Sequence, residues 1–137
     1  MGILENLMGK SDEQTVAPGF PFKLSTNLRP VRLAAKKDNC LELLVAIKNL
    51  SDKPYIASAS LELPKSLGFE NLGITKIKEI RMGELDIGKE KTISFSVCAS
   101  FQTAPGVYSA VLTLNQHYKD YAHVLNYAKK NVEIRVV

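Results

Sequence analysis

Tryptophan is absent from this chain, cysteine and histidine occur twice each, and no long uninterrupted apolar run is present. Each scarcity excludes something. A helix needs about 20 consecutive apolar residues to span a bilayer, and nothing here offers them. The amino terminus carries Glu5 where a secretory leader would be positive, and Ile3-Leu4 and Leu7-Met8 are interrupted rather than fused into an apolar core. Gly2 opens a myristoylation motif that Asn6 fails to complete, because that position calls for Ser or Thr. The expected compartment is the cytoplasm.

Few residues are available for catalysis. No G-x-S-x-G, H-E-x-x-H or phosphate-cradling glycine motif occurs, and Cys98 has no histidine near it in sequence. Glu84 and Asp86 lie in a turn-forming stretch, where carboxylates serve solubility and local hydrogen bonding. The expectation is a protein that is not an enzyme and holds no cofactor. Cys40 and Cys98 are separated far enough to suit the bridge between the two sheets of an immunoglobulin domain. Alternation argues otherwise: Cys40 shares parity with Glu42 and Lys48, and Cys98 with Ser94 and Ser96. The tryptophan that packs on such a bridge is also missing, so two free, reduced thiols are expected.

The chain is mildly basic, with a net charge of +4 over 137 residues. Its cations are scattered over strands and loops (Arg29, Arg32, Lys76, Arg81, Lys89, Lys129) with no stacking aromatics between them. Nucleic acid is therefore not an expected partner.

With 45% hydrophobic and 23% charged residues, the composition is that of one globular domain. Residues 1–18 read as an amphipathic segment and linker, and residues 19–137 as the domain. The pattern around which the domain is organised is Leu41, Leu43, Val45 and Ile47, alternating with Glu42, Leu44, Ala46 and Lys48. This is a strand with one buried face. The turn formers Asn49 to Pro54 follow, then a second β-rich run from Tyr55 to Leu63, which together predict a central hairpin. Further on, Ile93, Phe95 and Val97 face in between Thr92, Ser94 and Ser96, then Tyr108, Ala110, Leu112 and Leu114 share a face. Val132, Ile134 and Val136 close the chain. About seven short strands at regular spacing predict an all-β, immunoglobulin-like antiparallel β-sandwich.

Two helices are expected to accompany it. Ile3, Leu4, Leu7 and Met8 fall on one side of a short amino-terminal helix. Tyr121, Val124, Leu125 and Ala128 recur at helical spacing, predicting a short helix over about 121–130, with a long hairpin as the alternative.

Ile80 to Val97 (IRMGELDIGKEKTISFSV), Pro105-Gly106-Val107-Tyr108, and the central strand ending at Asn49 carry a resemblance. The first is similar to the G-x-L-x-P-G-x-x-x-T-x-x-F-x-V signature of prokaryotic immunoglobulin-like domains of the CARDB type, with Ile87 standing where that pattern has proline. The second resembles their P-G-x-Y motif, and the third their V-x-N-x-G turn. The resemblance covers about residues 31–115. It implies a sandwich fold and a habit of binding, and supplies no catalytic residues.

The expected function is that of a non-catalytic binding or scaffolding module for an unidentified protein partner, with a second copy of the chain also allowed. Two stretches stand out as binding residues: Ile3, Leu4, Leu7 and Met8, and the tyrosines Tyr118, Tyr121 and Tyr127. The first would serve equally for peripheral attachment to a membrane. A second reading uses His117, Asp120 and His123 as ligands for a divalent metal, since imidazole and carboxylate suit zinc.

Overall fold

The computed structural model of the chain describes residues 14–16, 20–70, 76–117 and 119–137, the side chains of 14–16 excepted. The expected amino-terminal helix lies outside them. The described residues are all-β, arranged in two sheets. Nine strands follow in order: β1 (Gln14–Val16), β2 (Phe22–Arg29), β3 (Arg32–Leu33), β4 (Asn39–Asn49), β5 (Tyr55–Glu62), β6 (Ile77–Leu85), β7 (Glu90–Ala99), β8 (Gly106–His117) and β9 (Val124–Val136). The smaller sheet has the order β2-β4-β7. The larger runs β1-β9-β8-β5-β6, with β3 added parallel to the end of β9, and it curls like a half-barrel.

The alternating strands present the faces their sequences predict. Leu41, Leu43, Val45 and Ile47 of β4 are buried, as are Phe95 and Val97 of β7. From the larger sheet come Ala57, Ala59 and Leu61 of β5, Ala110, Leu112 and Leu114 of β8, and Val132, Ile134 and Val136 of β9. All belong to one buried cluster. Alanines on one sheet leave volume for Phe95 and the leucines of the other, which is how two facing layers reach close packing.

Four expectations are corrected. The central hairpin is not one: β4 pairs with β2 and β7, whereas β5 pairs with β6 and β8. The segment after Asn49 is an arch that carries the chain from one sheet to the other. Asn49 is fully buried and organises the arch. Its Nδ2 donates to the carbonyls of Lys53 (2.8 Å) and Leu85 (2.9 Å), and its Oδ1 accepts from the backbone N–H of Ser51 (2.9 Å) and its hydroxyl (2.7 Å). The Asn49 backbone also exchanges bonds with Lys89 and Gly88, so one side chain ties together the turns at β4–β5 and β6–β7.

The second correction concerns the thiols. Cys40 and Cys98 form a disulfide with their Cα atoms 4.0 Å apart. They are register partners on the adjacent strands β4 and β7. Parity excludes a bridge through the core; it does not exclude one between neighbours on the outer face of a single sheet, which is where this one lies.

Third, the predicted helix over 121–130 is replaced by β9, which pairs with β8 from His117↔Val124 to Gly106↔Val136. The helical stripe is short, while period-2 alternation runs from Ala128 through Val132, Ile134 and Val136, and a long antiparallel ladder satisfies the backbone along all of it. Fourth, Gln14–Val16, within the stretch read as linker, forms an edge strand on β9, opposite Lys130 to Ala128.

Candidate functional site

The loop between β8 and β9 is pinned to the outer face of the larger sheet by a chain of polar and aromatic contacts. The register shift after Gln116 turns His117 toward β5, where its Nε2 lies 2.7 Å from Ser58 Oγ. The Tyr121 ring meets His117 edge-on at 5.1 Å, and the Arg81 guanidinium lies 4.7 Å from the ring centroid on the Tyr121 face. Opposite β5, the ladder shifts register at Ala57/Ser58, and Gly83 adopts φ +76° there. Its N–H donates to the Tyr121 hydroxyl at 2.9 Å. Tyr121 thus holds its own loop down.

Asp120 organises the loop tip. Its Oδ1 accepts from the Ala122 N–H (3.0 Å) and from His123 Nδ1 (2.7 Å). The His123 bond, the Ala122 N–H and the neighbouring charge together hold the Asp120 carboxyl below its ordinary range. Asp120 thus caps a tight turn at the loop tip.

Of the three proposed metal ligands, the loop brings together Asp120 and His123, both well exposed, while His117 is buried with its Nε2 engaged by Ser58. Among the described residues, no three His, Cys, Asp or Glu side chains converge as metal ligands. Burial lowers the pKa of His117, outweighing Glu79, which raises it; the backbone of His123 also raises it, Arg81 lowers it and Asp120 raises it. The ring's Nδ1 is itself buried, and the His123 backbone is the polar group that acts on it.

Ser58 and His117 have the spacing of a nucleophile and its base. Ser58, however, is completely buried beneath the loop, so no substrate atom can reach its oxygen. The pair is a structural hydrogen bond.

Beside His117 opens a cleft of about 580 Å³. Its apolar walls are Pro54, Tyr55, Ile56 and Leu125, and its charged rim is Lys53, Lys119 and Glu84. Apolar surface continues past the cleft: Val124, Leu125 and Tyr127 are 51%, 48% and 46% exposed. A second cleft of about 450 Å³ lies among Lys65, Glu70, Lys76, Cys98 and Gln102. The Lys76 ammonium there donates to the carbonyls of Lys65 (2.9 Å) and Leu67 (2.6 Å), so part of its hydrogen-bonding capacity holds backbone.

Of the residues singled out by sequence, Tyr127 is exposed with the Lys129 ammonium 5.9 Å from its ring, and Tyr121 is half-buried in the loop anchor. Ile3, Leu4, Leu7, Met8 and Tyr118 lie outside the described residues. Sequence reading missed Ser58, for which no signal exists, and the walls Pro54, Ile56 and Leu125, which meet only because β5, β8 and β9 lie side by side.

No family model matches the chain, and no curated protein matches it. Among solved structures, it is similar to a solution structure described as that of a late embryogenesis abundant (LEA) protein, at 11% identity and a TM-score of 0.40. The match covers 96% of this chain and 74% of the other. A likeness at that score carries no argument.

Proposed function

We propose that this protein is a non-catalytic binding module of the immunoglobulin-like type, which engages a protein partner through the end of the sandwich built by residues 119–123, the 51–54 turn and the start of β9. The observation that carries the reading is the apolar surface there. Val124, Leu125 and Tyr127 stay exposed beside an apolar cleft, on a loop that a dedicated set of contacts holds in place. Exposed contiguous apolar surface on a folded domain marks an interaction site, and preorganisation lowers the cost of using it.

The immunoglobulin-like part of the reading draws on strand order. The three-stranded sheet β2-β4-β7 faces a larger sheet whose central strands run β9-β8-β5-β6, and between these seven strands the chain changes sheet after β4, β6 and β7, with β1 and β3 added at the β9 side of the larger sheet. The Tyr108 hydroxyl donates to the Ala104 carbonyl at 2.7 Å, a corner bond consistent with the resemblance of Pro105–Tyr108 to the CARDB-type motif.

The test is co-purification of the full chain from its own cell with charge placed on the surface. Val124→Asp and Tyr127→Asp should abolish association while the melting temperature stays close to that of the parent. Ser94→Asp, on the outer face of the other sheet, should leave association intact. Equal association by all three variants would overturn the reading.

A further inference from the structure

The Cys40–Cys98 bridge lies in a sheet that is already zipped without it. Neither cysteine belongs to the buried cluster that joins the two layers. The β4–β7 ladder continues on both sides of the bridge, with Asn39↔Ala99 before it and Leu41↔Val97 to Lys48↔Glu90 after it. The Cys98 N–H donates to the Gly68 carbonyl at 2.7 Å, and the Cys98 carbonyl accepts from the Gly68 N–H at 3.1 Å. Both backbone groups of Cys98 therefore point away from β4, and opening the S–S bond breaks no backbone hydrogen bond between the two strands.

The two sulfurs differ in their surroundings. Cys40 is exposed, whereas Cys98 is 4% exposed and borders the cleft of about 450 Å³. A disulfide sulfur carries no hydrogen, so the Ser96 hydroxyl, 3.8 Å from Cys98 Sγ, is the donor in that contact. Cys98 Sγ also lies 3.9 Å from the Phe69 carbonyl oxygen, an acceptor that it can use as a thiol but not as a disulfide. One sulfur is thus open to a nucleophile. The other has a donor placed for its thiolate and an acceptor placed for its thiol. Exposed disulfides are the labile ones, and exchange is faster when the departing thiolate is stabilised.

We propose that Cys40 is a site of reversible modification by a low-molecular-weight thiol of the glutathione class, with Cys98 as its resolving partner. The incoming thiolate attacks Cys40 Sγ, a new S–S bond forms there, and the Cys40–Cys98 bond breaks. Its electron pair leaves on Cys98 Sγ, which accepts from the Ser96 hydroxyl, takes a proton from water and then donates to the Phe69 carbonyl. A second thiol displaces Cys40 from the mixed disulfide, so two thiols become one small disulfide while the bridge becomes two thiols. Run backwards, Cys98 attacks the modified Cys40 and closes the bridge again. The site stands apart from the proposed binding face, at the other end of β4 from the Asn49 arch.

The experiment incubates the full, folded chain with reduced glutathione, quenches with acid, and maps thiols and mixed disulfides by mass spectrometry. Reduction should be first order in glutathione and should keep the same rate in urea below the unfolding transition. The reduced protein should retain a dispersed amide spectrum, with shifts centred on residues 39–41, 67–70 and 96–99. Against oxidised glutathione, Cys98→Ser should take up one glutathione on Cys40 at least about tenfold faster than Cys40→Ser takes one up on Cys98. A reduction rate that climbs steeply with urea would mean that the bridge opens only in unfolded chains, and would overturn the proposal. Loss of amide dispersion on reduction, equal uptake by the two variants, or glutathione mapped to Cys98 in the parent would overturn it as well.

Discussion

Two residues decide how the chemistry of this chain is read. Cys40 is exposed and Cys98 is buried, yet they close one bridge because they sit opposite each other on β4 and β7. The argument for a cytoplasmic setting from free thiols falls with that bridge, since disulfides persist where the surroundings are oxidising. In denatured, unreduced protein, a thiol reagent should add nothing, and after reduction it should add at two sites. Mass spectrometry reads the difference, and two reactive thiols before reduction would contradict the bridge. His117 leads to a prediction in pH. Burial lowers its pKa from the ordinary 6.5, so below 6.5 the unfolded chain takes up a proton that the folded chain resists. Its contribution to stability is fully present above 6.5 and is lost as pH falls through the lowered folded value. Denaturant melts between pH 7 and about 5, above the range where most carboxylates titrate, should show a steeper loss for the parent than for His117→Gln. Parallel profiles would mean that the ring takes up its proton alike in the folded and unfolded chains.

At the scale of elements, facing was legible and pairing was not. Alternation is a property of a few consecutive residues, so the buried faces of β4, β7 and β8 could be read directly from Leu41–Ile47, Ile93–Val97 and Tyr108–Leu114. Which strand lies beside which depends on distant residues. Two alternating strands joined by turn formers fit a hairpin and an arch equally well; the arch is selected by Asn49 reaching Leu85, a contact 36 positions away. Removing that side chain should show its weight. Asn49→Ala leaves the Leu85 carbonyl and its neighbours buried without partners, and should cost about 3 kcal/mol in urea unfolding with an unchanged slope. A loss under about 0.5 kcal/mol would show that the turns hold without it. The β8–β9 hairpin teaches the same lesson from the other side. Tyr121, Val124, Leu125 and Ala128 do make a helical stripe, but a ladder running to Val136 outweighs four residues of periodicity. The candidate site was legible as a stretch, because tyrosine, histidine and aspartate cluster there. Its cleft was not, because Pro54–Ile56 and Leu125 belong to segments that only the sheet brings together.

For the whole molecule, the two sheets have different outer faces. The smaller presents Ser25, Asn27, Ser94 and Ser96, short polar groups that water satisfies. The larger carries the anchored loop and, at its end, the exposed Val124, Leu125 and Tyr127 beside the cleft. Among the described residues no helix is long and apolar enough to cross a membrane. The account's central claim is one of location: the proposed partner binds at the 119–123 end of the sandwich. Hydrogen–deuterium exchange on the full chain, free and in complex with the protein that co-purifies with it, tests this most directly. The account predicts slowed exchange over residues 53–57 and 117–127, with the rest unchanged. Slowing confined to β2 and the outer face of β7, with the loop exchanging as in the free protein, would contradict it.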